Sequence, residues 1–282
     1  MIIGIVGTGL IGGSLAKAYK AKDHTVYGFD TDEFTLGFAQ LSGAVDGILD
    51  EESIGKCDGI LIAVNPRDAA AYLEMAAPVI SKNTMVIDCC GTKRFVCEQC
   101  FPLAEKYGFI FVGGHPMAGS HKSGFKSSRP NLFYGASMIL VPPVYDDAAL
   151  YGRIEEILKP IGFGHFTFTT AEKHDEMIAF SSQMANVVSN AYIKSPRARS
   201  HKGFSAGSYR DLTRVAQLDA NMWAELCMEN KDFLIEELDG FINAVNLYKE
   251  ALVSKDIDSL KILFEEGSRL KREIDNSEND NR

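Results

Sequence analysis

The chain has 282 residues, 46% of them hydrophobic and 24% charged, which is the composition of a folded globular protein long enough for two domains. Its formal net charge of −9 argues against a protein that binds nucleic acid through the phosphates, because such proteins carry an excess of lysine and arginine. The sequence has neither an apolar run of about 18 residues that could span a membrane nor the start of a signal peptide, so we expect a cytoplasmic enzyme.

The first part of the chain alternates short apolar runs with amphipathic segments. The amphipathic segments have helical spacing, and the apolar runs are typical of buried strands. The predicted strands cover residues 1–6, 25–29, 59–64, 84–88, 109–112, 138–141 and 163–168. This alternation predicts a parallel sheet with helices on both faces.

The pattern changes near residue 171, after which only helical spacing is found. The predicted helices cover residues 174–194, 219–238, 241–253 and 257–274, with a basic loop at residues 195–207. We therefore expect an α/β domain over residues 1–168 and an all-helical domain over residues 169–282. The helical part carries more apolar surface than one layer of helices can bury, which predicts a homodimer formed through it.

A glycine-rich motif, G-x-G-x-x-G, follows the first predicted strand and opens a helix. This context predicts a Rossmann-type dinucleotide-binding domain. Gly7 allows the tight turn, Gly9 allows a pyrophosphate to approach the backbone, and Gly12 allows the helix to pack on the sheet. Leu10 and Ile11 complete the loop. The amide groups of this helix N-terminus are expected to bind the cofactor phosphates.

An acidic residue, Asp30, ends the second predicted strand. A carboxylate at this place accepts hydrogen bonds from both ribose hydroxyls of NAD and repels the 2′-phosphate of NADP. Asp32 and Glu33 add negative charge nearby, and Asn65 follows a later strand at the edge that lines the cofactor crevice. We therefore expect NAD as the cofactor.

The stretch GGHPMAGS at residues 113–120 follows another predicted strand, at the sheet edge where such folds bind ligands. Its His115 has two glycines before it and a proline after it. A histidine held in this way can accept a proton from a hydroxyl group. A structural histidine in a loop would be the better interpretation if the residue stood alone.

The chain contains six cysteines, four of them within residues 89–100, where they could hold a metal ion. No second C-x-x-C and no Cys/His pair at finger spacing follows. We therefore expect reduced thiols that serve as small packing residues, and no metal. The six are Cys57, Cys89, Cys90, Cys97, Cys100 and Cys227.

Three stretches together resemble the prephenate/arogenate dehydrogenase family. They are the glycine-rich start, the GGHPMAGS loop, and the RDLTR motif of residues 210–214 followed by Trp223. The resemblance extends over residues 2–275. It implies a Rossmann domain followed by a helical dimerisation domain, and a homodimer. It also implies the NAD-dependent conversion of prephenate to 4-hydroxyphenylpyruvate, or of arogenate to tyrosine, with loss of CO2, in tyrosine biosynthesis.

The resemblance also implies residue roles. His115 would accept the hydrogen bond of the substrate's ring hydroxyl, and Arg214 would bind the ring carboxylate. Arg210 stands where the family often has lysine. Elementary chemistry agrees, because a dicarboxylate substrate needs local positive charge in a negatively charged protein. Two arginines four positions apart share one helix face, and a guanidinium binds a carboxylate with two hydrogen bonds. Solvated surface arginines are the alternative.

The sequence departs from the family at three places. In the stretch DCCGTK, Gly91 stands where the family commonly has a serine that orients the histidine and the substrate hydroxyl, so Thr92 is the candidate for the missing hydroxyl. His121 stands where some members have an acidic residue, and Asn186 where some have a histidine. We expect these two side chains to contact the substrate, and the choice between a keto acid and an amino acid depends on them.

Two other function classes remain open. A β-hydroxyacid or imine dehydrogenase of the same architecture would have a catalytic lysine on the first helix after the Rossmann domain. Here that helix begins with Lys173 but has Gln183 inside it. Gln183, Asn186 and Asn190 form a polar stripe, which favours a substrate-facing side or a dimer interface. A non-catalytic NAD-sensing protein is the other alternative, and the paired arginines and His115 argue against it.

Overall fold

The computed structural model describes residues 1–119 and 122–280. Its internal contacts divide the chain into two compact units, Met1–Lys231 and Asp232–Arg282. No helix within the described residues is both long and apolar enough to cross a membrane.

The first unit is built on one eight-stranded sheet with the strand order β3-β2-β1-β4-β5-β6-β7-β8. The strands are β1 (Ile2–Val6), β2 (Thr25–Phe29), β3 (Gly47–Ile48), β4 (Gly59–Ile62), β5 (Met85–Asp88), β6 (Ile110–Pro116), β7 (Ser137–Val141) and β8 (His165–Phe168). Six helices alternate with them: α1 (Leu10–Lys20), α2 (Glu33–Leu41), α3 (Glu51–Ile54), α4 (Pro66–Ala76), α5 (Arg94–Tyr107) and α6 (Ala148–Leu158). The predicted Rossmann-type α/β class is confirmed.

One strand pair departs from the predicted parallel sheet. β6 and β7 are antiparallel, with His115 opposite Ile139, whereas the other neighbouring strands pair in parallel. A parallel return requires a long crossover, usually a helix. In the described part of the connection between β6 and β7, the one helical element is a 3-10 turn, Phe125–Ser127. The chain therefore returns beside β6 in the opposite direction.

The core lies on both faces of the sheet, because successive strand residues point to opposite sides. Ile5 of β1 belongs to a buried cluster with Leu15 of α1. The next residue, Val6, belongs to a second cluster with Leu73 of α4. Both faces of β1 are thus covered by helices, which leaves its carboxyl end as the accessible edge.

Helices follow the sheet within the first unit. They are α7 (Ala171–Ile178), a π-helical turn (Ala179–Met184), α8 (Ala185–Tyr192), a 3-10 turn (Pro196–Ser200), α9 (Gly207–Thr213) and α10 (Ala220–Glu229). The predicted helix over residues 219–238 is wrong as one element, because it is interrupted at Asn230. There the backbone leaves helical geometry, and the buried side-chain amide donates to the carbonyl of Asp175 and to Gln183 Oε1.

The second unit is a pair of long helices, α11 (Lys231–Ser254) and α12 (Ile257–Asp280). They are joined at Lys255, which has a positive φ of 57°. Tyr248 packs on Phe264 with ring centroids 5.2 Å apart, and its hydroxyl donates to the carbonyl of Leu263. Many apolar side chains of this pair are exposed, among them Ile242, Leu247, Leu252, Val253, Ile262 and Ile274.

Candidate active site

The glycine loop lies at the carboxyl end of β1 and opens α1. Gly7 has a φ of +81°, and a Cβ on it would lie 2.5 Å from Val64 Cγ1. A Cβ on Gly12 would lie 1.8 Å from the carbonyl oxygen of Gly7, so the loop and the helix touch there. A Cβ on Gly9 would meet no described atom within 4 Å. This open position fits the close approach of a pyrophosphate.

The first turn of α1 is available to an anion. Its N-cap, Gly9, has no side-chain cap, and the first turn contains no acidic residue. The amide groups of Leu10 and Ile11 belong to the turn that has no partners within the helix. Asn65 is exposed at the N-cap of α4, just after β4, which is the neighbour of β1 in the sheet. These residues therefore share one sheet edge, as a dinucleotide site requires.

Asp30 follows β2 at the same edge and is tied to the glycine loop. Its Oδ2 accepts hydrogen bonds from the amide and the hydroxyl of Thr8, at 2.7 and 2.8 Å. Its Oδ1 accepts from the amide of Asp32 at 3.0 Å. The half-buried carboxylate is thus fixed beside the loop that would hold the pyrophosphate.

His115 lies near the end of β6, not in a loop as the sequence suggested, because the strand continues to Pro116 and pairs with β7. Before it, the amide of Gly114 donates to Asp88 Oδ1 at 2.9 Å. A Cβ on Gly114 would lie 2.3 Å from the carbonyl oxygen of Asp88. Glycine therefore lets β6 approach the end of β5 closely and sets the position of His115.

The imidazole of His115 contacts a buried histidine on α7. His115 Nδ1 lies 2.8 Å from His174 Nε2, and His174 Nδ1 lies 2.7 Å from Asp175 Oδ1. Asp175 also accepts hydrogen bonds from the backbone amides of Lys93 and Arg94, at 2.7 and 2.9 Å. We call His115, His174 and Asp175 the histidine network. It joins the sheet to the first helix that follows it.

A buried ion pair lies beside the histidine network. Lys93 Nζ contacts Asp88 Oδ2, and both side chains are fully buried. Burial would lower the pKa of Lys93, but the carboxylate of Asp88 raises it above its usual value. Asp88 also accepts from the amide of Cys90 at 2.9 Å. Lys93 therefore keeps a positive charge near both imidazoles.

The two histidines are held neutral. Burial lowers the pKa of His115 well below 6.5, and His174 and Lys93 lower it further. Burial also lowers the pKa of His174, against the opposing effect of Asp175. Burial alone would raise the pKa of Asp175, but the hydrogen bonds from His174 and from the backbone outweigh it, and this pKa lies below its usual value. The network thus combines a carboxylate with two neutral imidazoles near neutral pH.

Sequence reasoning missed His174 and Asp175 as site residues. One signal was present, because both polar residues precede Ile178 at helical spacing on what proves to be a buried helix face. Charged and histidine side chains are rarely fully buried without partners. Their occurrence at core positions just after the sheet domain therefore pointed to an internal network.

Thr92, the candidate replacement for the family serine, is buried before α5. Its Oγ1 donates to Glu229 Oε2 at 2.6 Å. Burial raises the pKa of Glu229, against the opposing effect of this hydrogen bond. A Cβ on the preceding Gly91 would lie 3.2 Å from Leu226 Cδ2, so α10 covers this stretch. The proton of Thr92 is directed at Glu229, and the catalytic role of Thr92 stays a prediction.

The two arginines of the RDLTR motif lie on and just after α9. Arg210 is in the helix, and Arg214 follows its last residue with a helical backbone, at φ −56° and ψ −36°. Both side chains are exposed, and neither forms an ion pair with a described residue. The shared face predicted for them agrees with this backbone. We call residues 210–214 the arginine segment.

The polar stripe of α8 and the π-helical turn binds within the protomer. Ser189 Oγ donates to the carbonyl of Leu212 at 2.7 Å, and Asn190 Nδ2 donates to that of Ala216 at 2.9 Å. Gln183 Nε2 donates to the carbonyl of Leu226 at 3.0 Å. Gln183 and Asn190 thus hold main chain of the same protomer, and the substrate-facing or dimer-interface role of the stripe stays a prediction. Asn186 Nδ2 donates to Ser182 O at 2.9 Å, and its substrate contact stays a prediction.

Two further predictions concern His121 and the cysteines. His121 lies outside the described residues. All six cysteines are free, and Cys90, Cys97 and Cys100 are buried in the core beside β5 and β6. Burial raises the pKa of these three thiols. Over residues 1–119 and 122–280, no group of three His, Cys, Asp or Glu side chains is arranged to hold a metal ion.

Comparison with known proteins identifies the family. Residues 15–166 match the family model "Prephenate dehydrogenase, nucleotide-binding domain", and residues 170–266 match "Prephenate dehydrogenase, dimerization domain". The chain belongs to the prephenate dehydrogenase family. The resemblance seen in the sequence is confirmed, and with it the prediction of a dehydrogenase enzyme.

Similar proteins cover nearly the whole chain. The cyclohexadienyl dehydrogenase of Zymomonas mobilis is 30% identical over 95% of this chain and 94% of its own. The structure of prephenate dehydrogenase from Aquifex aeolicus in complex with hydroxyphenyl propionate and NAD+ has a TM-score of 0.82. It is 26% identical and covers 97% of this chain and 98% of its own. Synechocystis arogenate dehydrogenase has a TM-score of 0.79 and is 25% identical, over 96% of this chain and 100% of its own. Members with different substrate names thus share this fold.

Proposed function

We propose that this member of the prephenate dehydrogenase family oxidises prephenate to 4-hydroxyphenylpyruvate, with loss of CO2 and with NAD as the oxidant, in tyrosine biosynthesis. The observation that carries the proposal is His115. It is a neutral imidazole that contacts the buried His174, and it lies near the end of a strand in the sheet that also carries the glycine loop. Such a group is suited to accept a proton from a hydroxyl.

The cofactor is NAD, which accepts a hydride when it is bound. The backbone at Gly9 and the first turn of α1 hold the pyrophosphate. The carboxylate of Asp30, fixed by Thr8, accepts hydrogen bonds from the ribose hydroxyls and repels a 2′-phosphate. Asn65 lines the crevice beside them. The open space at Gly9 and the bound carboxylate support this assignment.

In the reaction, His115 takes the proton of the ring hydroxyl. At the same time a hydride leaves the ring carbon that bears this hydroxyl. The resulting ring ketone withdraws electrons from the bond to the ring carboxylate. That bond breaks, CO2 departs, and the ring becomes aromatic. The proton on His115 then returns to the ring oxygen, so that the phenol of the product is formed without a net change in the enzyme.

The arginine segment supplies the positive charge that a dicarboxylate needs. Arg214 binds the ring carboxylate with two hydrogen bonds, and Arg210 attracts or binds the side-chain carboxylate. The exposure of both guanidinium groups supports these roles, since neither is engaged in an ion pair with a described side chain. Thr92, His121 and Asn186 complete the proposed set of substrate-side residues.

The functional unit is a homodimer with a domain boundary at residue 168. The match of residues 170–266 to a dimerisation domain supports the dimer, as do the exposed apolar side chains of α11 and α12. The ends of the two family matches support the boundary. Light scattering is expected to give twice the mass of the chain at micromolar concentration, and a monomer would contradict the dimer.

The direct test is NADH formation by the purified protein with prephenate and arogenate in parallel, each with NAD and NADP. The highest kcat/KM is expected for prephenate with NAD. A higher kcat/KM for arogenate would make the protein an arogenate dehydrogenase, which is the alternative that the Synechocystis relative favours. Turnover of neither substrate would overturn the proposal.

A further inference from the structure

The histidine network forms one continuous row, in which His174 connects the proposed base, His115, to the buried carboxylate of Asp175. His115 Nδ1 lies 2.8 Å from His174 Nε2, and His174 Nδ1 lies 2.7 Å from Asp175 Oδ1. We infer that His174 and Asp175 are positioning residues that fix the tautomer of His115, so that its Nε2 is the unprotonated nitrogen that accepts the substrate proton. The identity of the proton donor rests on the proposed function, whereas the tautomer follows from the contacts of the protein.

At one end of the row, the carboxylate of Asp175 can accept a hydrogen bond but cannot donate one. An ionised carboxylate has no proton to donate. Asp175 is surrounded by donors: the amides of Lys93 and Arg94, and Arg94 Nε at 3.3 Å. These hydrogen bonds oppose its protonation, and its pKa lies below the usual value. The hydrogen between Asp175 and His174 therefore belongs to His174 Nδ1.

The remaining assignments follow by elimination. His174 is neutral at neutral pH, so a hydrogen on its Nδ1 leaves a lone pair on its Nε2. That lone pair faces His115 Nδ1, which must then carry the hydrogen between the two rings. Because His115 is also neutral, its Nε2 has the free lone pair. The opposite tautomer of His115 would set two lone pairs against each other at 2.8 Å.

The surrounding charges keep both rings neutral, which the row requires. Among the described residues, the charged groups around them come from three elements: Asp88 at the end of β5, Lys93 and Arg94 at the start of α5, and Asp175 on α7. Lys93 lowers the pKa of both histidines, whereas Asp175 and Asp88 raise that of His174. Burial adds to the effect of Lys93. Because both histidines are neutral, the hydrogen bond that His174 donates to Asp175 also decides which ring nitrogen of His115 carries the hydrogen.

The tautomer matters because only one of the two neutral forms can act at Nε2. The hydrogen bond made by one ring nitrogen decides which nitrogen is protonated. Without a fixed partner, His115 would divide between both tautomers, and the form with hydrogen on Nε2 could not accept a proton there. A carboxylate that fixes a histidine in this way is familiar from catalytic triads. Here a second histidine is placed between the carboxylate and the base.

The tautomer can be observed directly by NMR of the full-length protein with 15N-labelled histidine rings. Long-range 1H–15N spectra distinguish a protonated ring nitrogen from one with a lone pair. The signals are assigned by their loss in His115→Asn and His174→Gln. The expected result is a protonated Nδ1 and an unprotonated Nε2 in both rings, with and without NAD. A protonated Nε2 on His115 would overturn the inference.

Two substitutions at His174 test the consequence for catalysis. His174→Phe keeps a ring in the buried space but cannot accept the hydrogen bond, so kcat should fall about tenfold to a thousandfold, within the contribution of a general base. His174→Gln offers an amide oxygen to His115 Nδ1, so its kcat should exceed that of His174→Phe about fivefold to tenfold. KM and the Kd for NAD should stay near the parent values in both. Parent-like kcat in His174→Phe would overturn the inference.

The controls separate this role from a merely structural one. His165 is exposed on β8, and His165→Phe should leave kcat unchanged. If His174→Phe does not fold, the kcat of His174→Gln and the spectrum of the parent decide the question. If the parent oxidises neither prephenate nor arogenate, the proposed function fails while the spectrum still tests the tautomer. An active parent with a protonated His115 Nε2 would overturn the inference alone.

Discussion

The histidine network and the arginine segment lie in the same unit but differ in burial and in their contacts with other protein groups. His174 and Asp175 are almost completely buried and bind other protein groups. Arg210 and Arg214 are exposed, and neither forms an ion pair with a described residue. Proton transfer requires a defined tautomer, which only fixed partners can give. Anion binding requires a charge that is still available when the ligand arrives. The difference in burial therefore fits the different chemistry that we propose for the two regions.

The arginine segment is nevertheless ordered through its main chain. Ser189 and Asn190 hold the carbonyls of Leu212 and Ala216, on either side of Arg214. The backbone is thereby positioned by α8 while the guanidinium groups stay in solvent. Exposed side chains on a fixed backbone lose less freedom on binding than side chains on a mobile loop would.

The largest expected effect comes from removing His115, the proposed base of the histidine network. His115→Asn should lower kcat by about 10² to 10⁴, which is the usual contribution of a positioned general base. The Kd for NAD should be unchanged, because the glycine loop and Asp30 are untouched. The acidic limb of the pH–rate profile should flatten, since the titrating group is gone. Steady-state kinetics and NAD titration measure all three. Normal turnover in this variant would show that the network has no role in proton transfer.

A smaller effect is expected from the arginine segment, because the solvent already stabilises an exposed guanidinium. Arg214→Ala should lower kcat/KM for prephenate about tenfold to a hundredfold, as expected for charge-assisted hydrogen bonds worth about 1.5–3 kcal/mol. Arg214→Lys should fall between, since an ammonium cannot reproduce the two-pronged geometry. The Tm should not change.

Arg210→Ala is the matched comparison, because it removes the same exposed group one helical turn earlier. Its loss in kcat/KM should be smaller than that of Arg214→Ala if Arg210 only attracts the substrate. Parent-like kcat/KM in Arg214→Ala would contradict the carboxylate-binding role and leave His115 as the main support for the substrate class.

Asp30 is intermediate in burial between the histidine network and the arginine segment. It is half-buried and bound by Thr8, and it faces the proposed ribose site. Asp30→Asn should lower the ratio of kcat/KM for NAD to that for NADP about tenfold or more, because it weakens the ribose hydrogen bonds and removes the repulsion of the 2′-phosphate. Thr8→Val removes one contact to the carboxylate without removing its charge and should keep the preference for NAD. An unchanged ratio in Asp30→Asn would show that Asp30 does not select the cofactor.

The sequence predicted the sheet well because buried parallel strands are continuous apolar runs bounded by turns. It could not predict the antiparallel β7, because strand direction depends on how the chain returns and not on the composition of the strand. It also missed β3, which has two residues and no readable period. The break at Asn230 depends on contacts with Asp175 and Gln183, far away in the sequence.

The same reasoning explains which candidate site residues the sequence could indicate. Gly7, His115 and Arg214 belong to compact motifs, in which neighbouring residues set the local backbone. The histidine network has no such motif, since Asp175 binds the amide of Lys93 across 82 positions of sequence. Burial and charge of this kind become visible only when the sheet and α7 have been brought together.

The smallest effect concerns stability, and it separates the two regions by pH. In the folded protein the pKa of His115 and of His174 lies below 6.5, the ordinary value that the unfolded chain keeps. Well above that value neither state binds the extra protons. As the pH falls below it, the unfolded chain binds protons that the folded protein does not, so the free energy of unfolding should decrease until the folded pKa values are reached. Asp175, with its lowered pKa, contributes stability that is lost only in a more acidic range.

Urea unfolding at neutral pH and at about pH 5.5 measures this decrease. His174→Gln removes one of the two groups and should reduce the loss of stability between these conditions. Arg214→Ala should retain the whole loss, because it leaves both histidines and their burial unchanged. The difference between variants isolates the network from other titrating groups. If the free energy of unfolding of His174→Gln and of Arg214→Ala showed the same pH dependence as that of the parent, His174 would not be held neutral by the fold. The contrast between a buried histidine network and an exposed arginine segment would then be wrong for the histidine network.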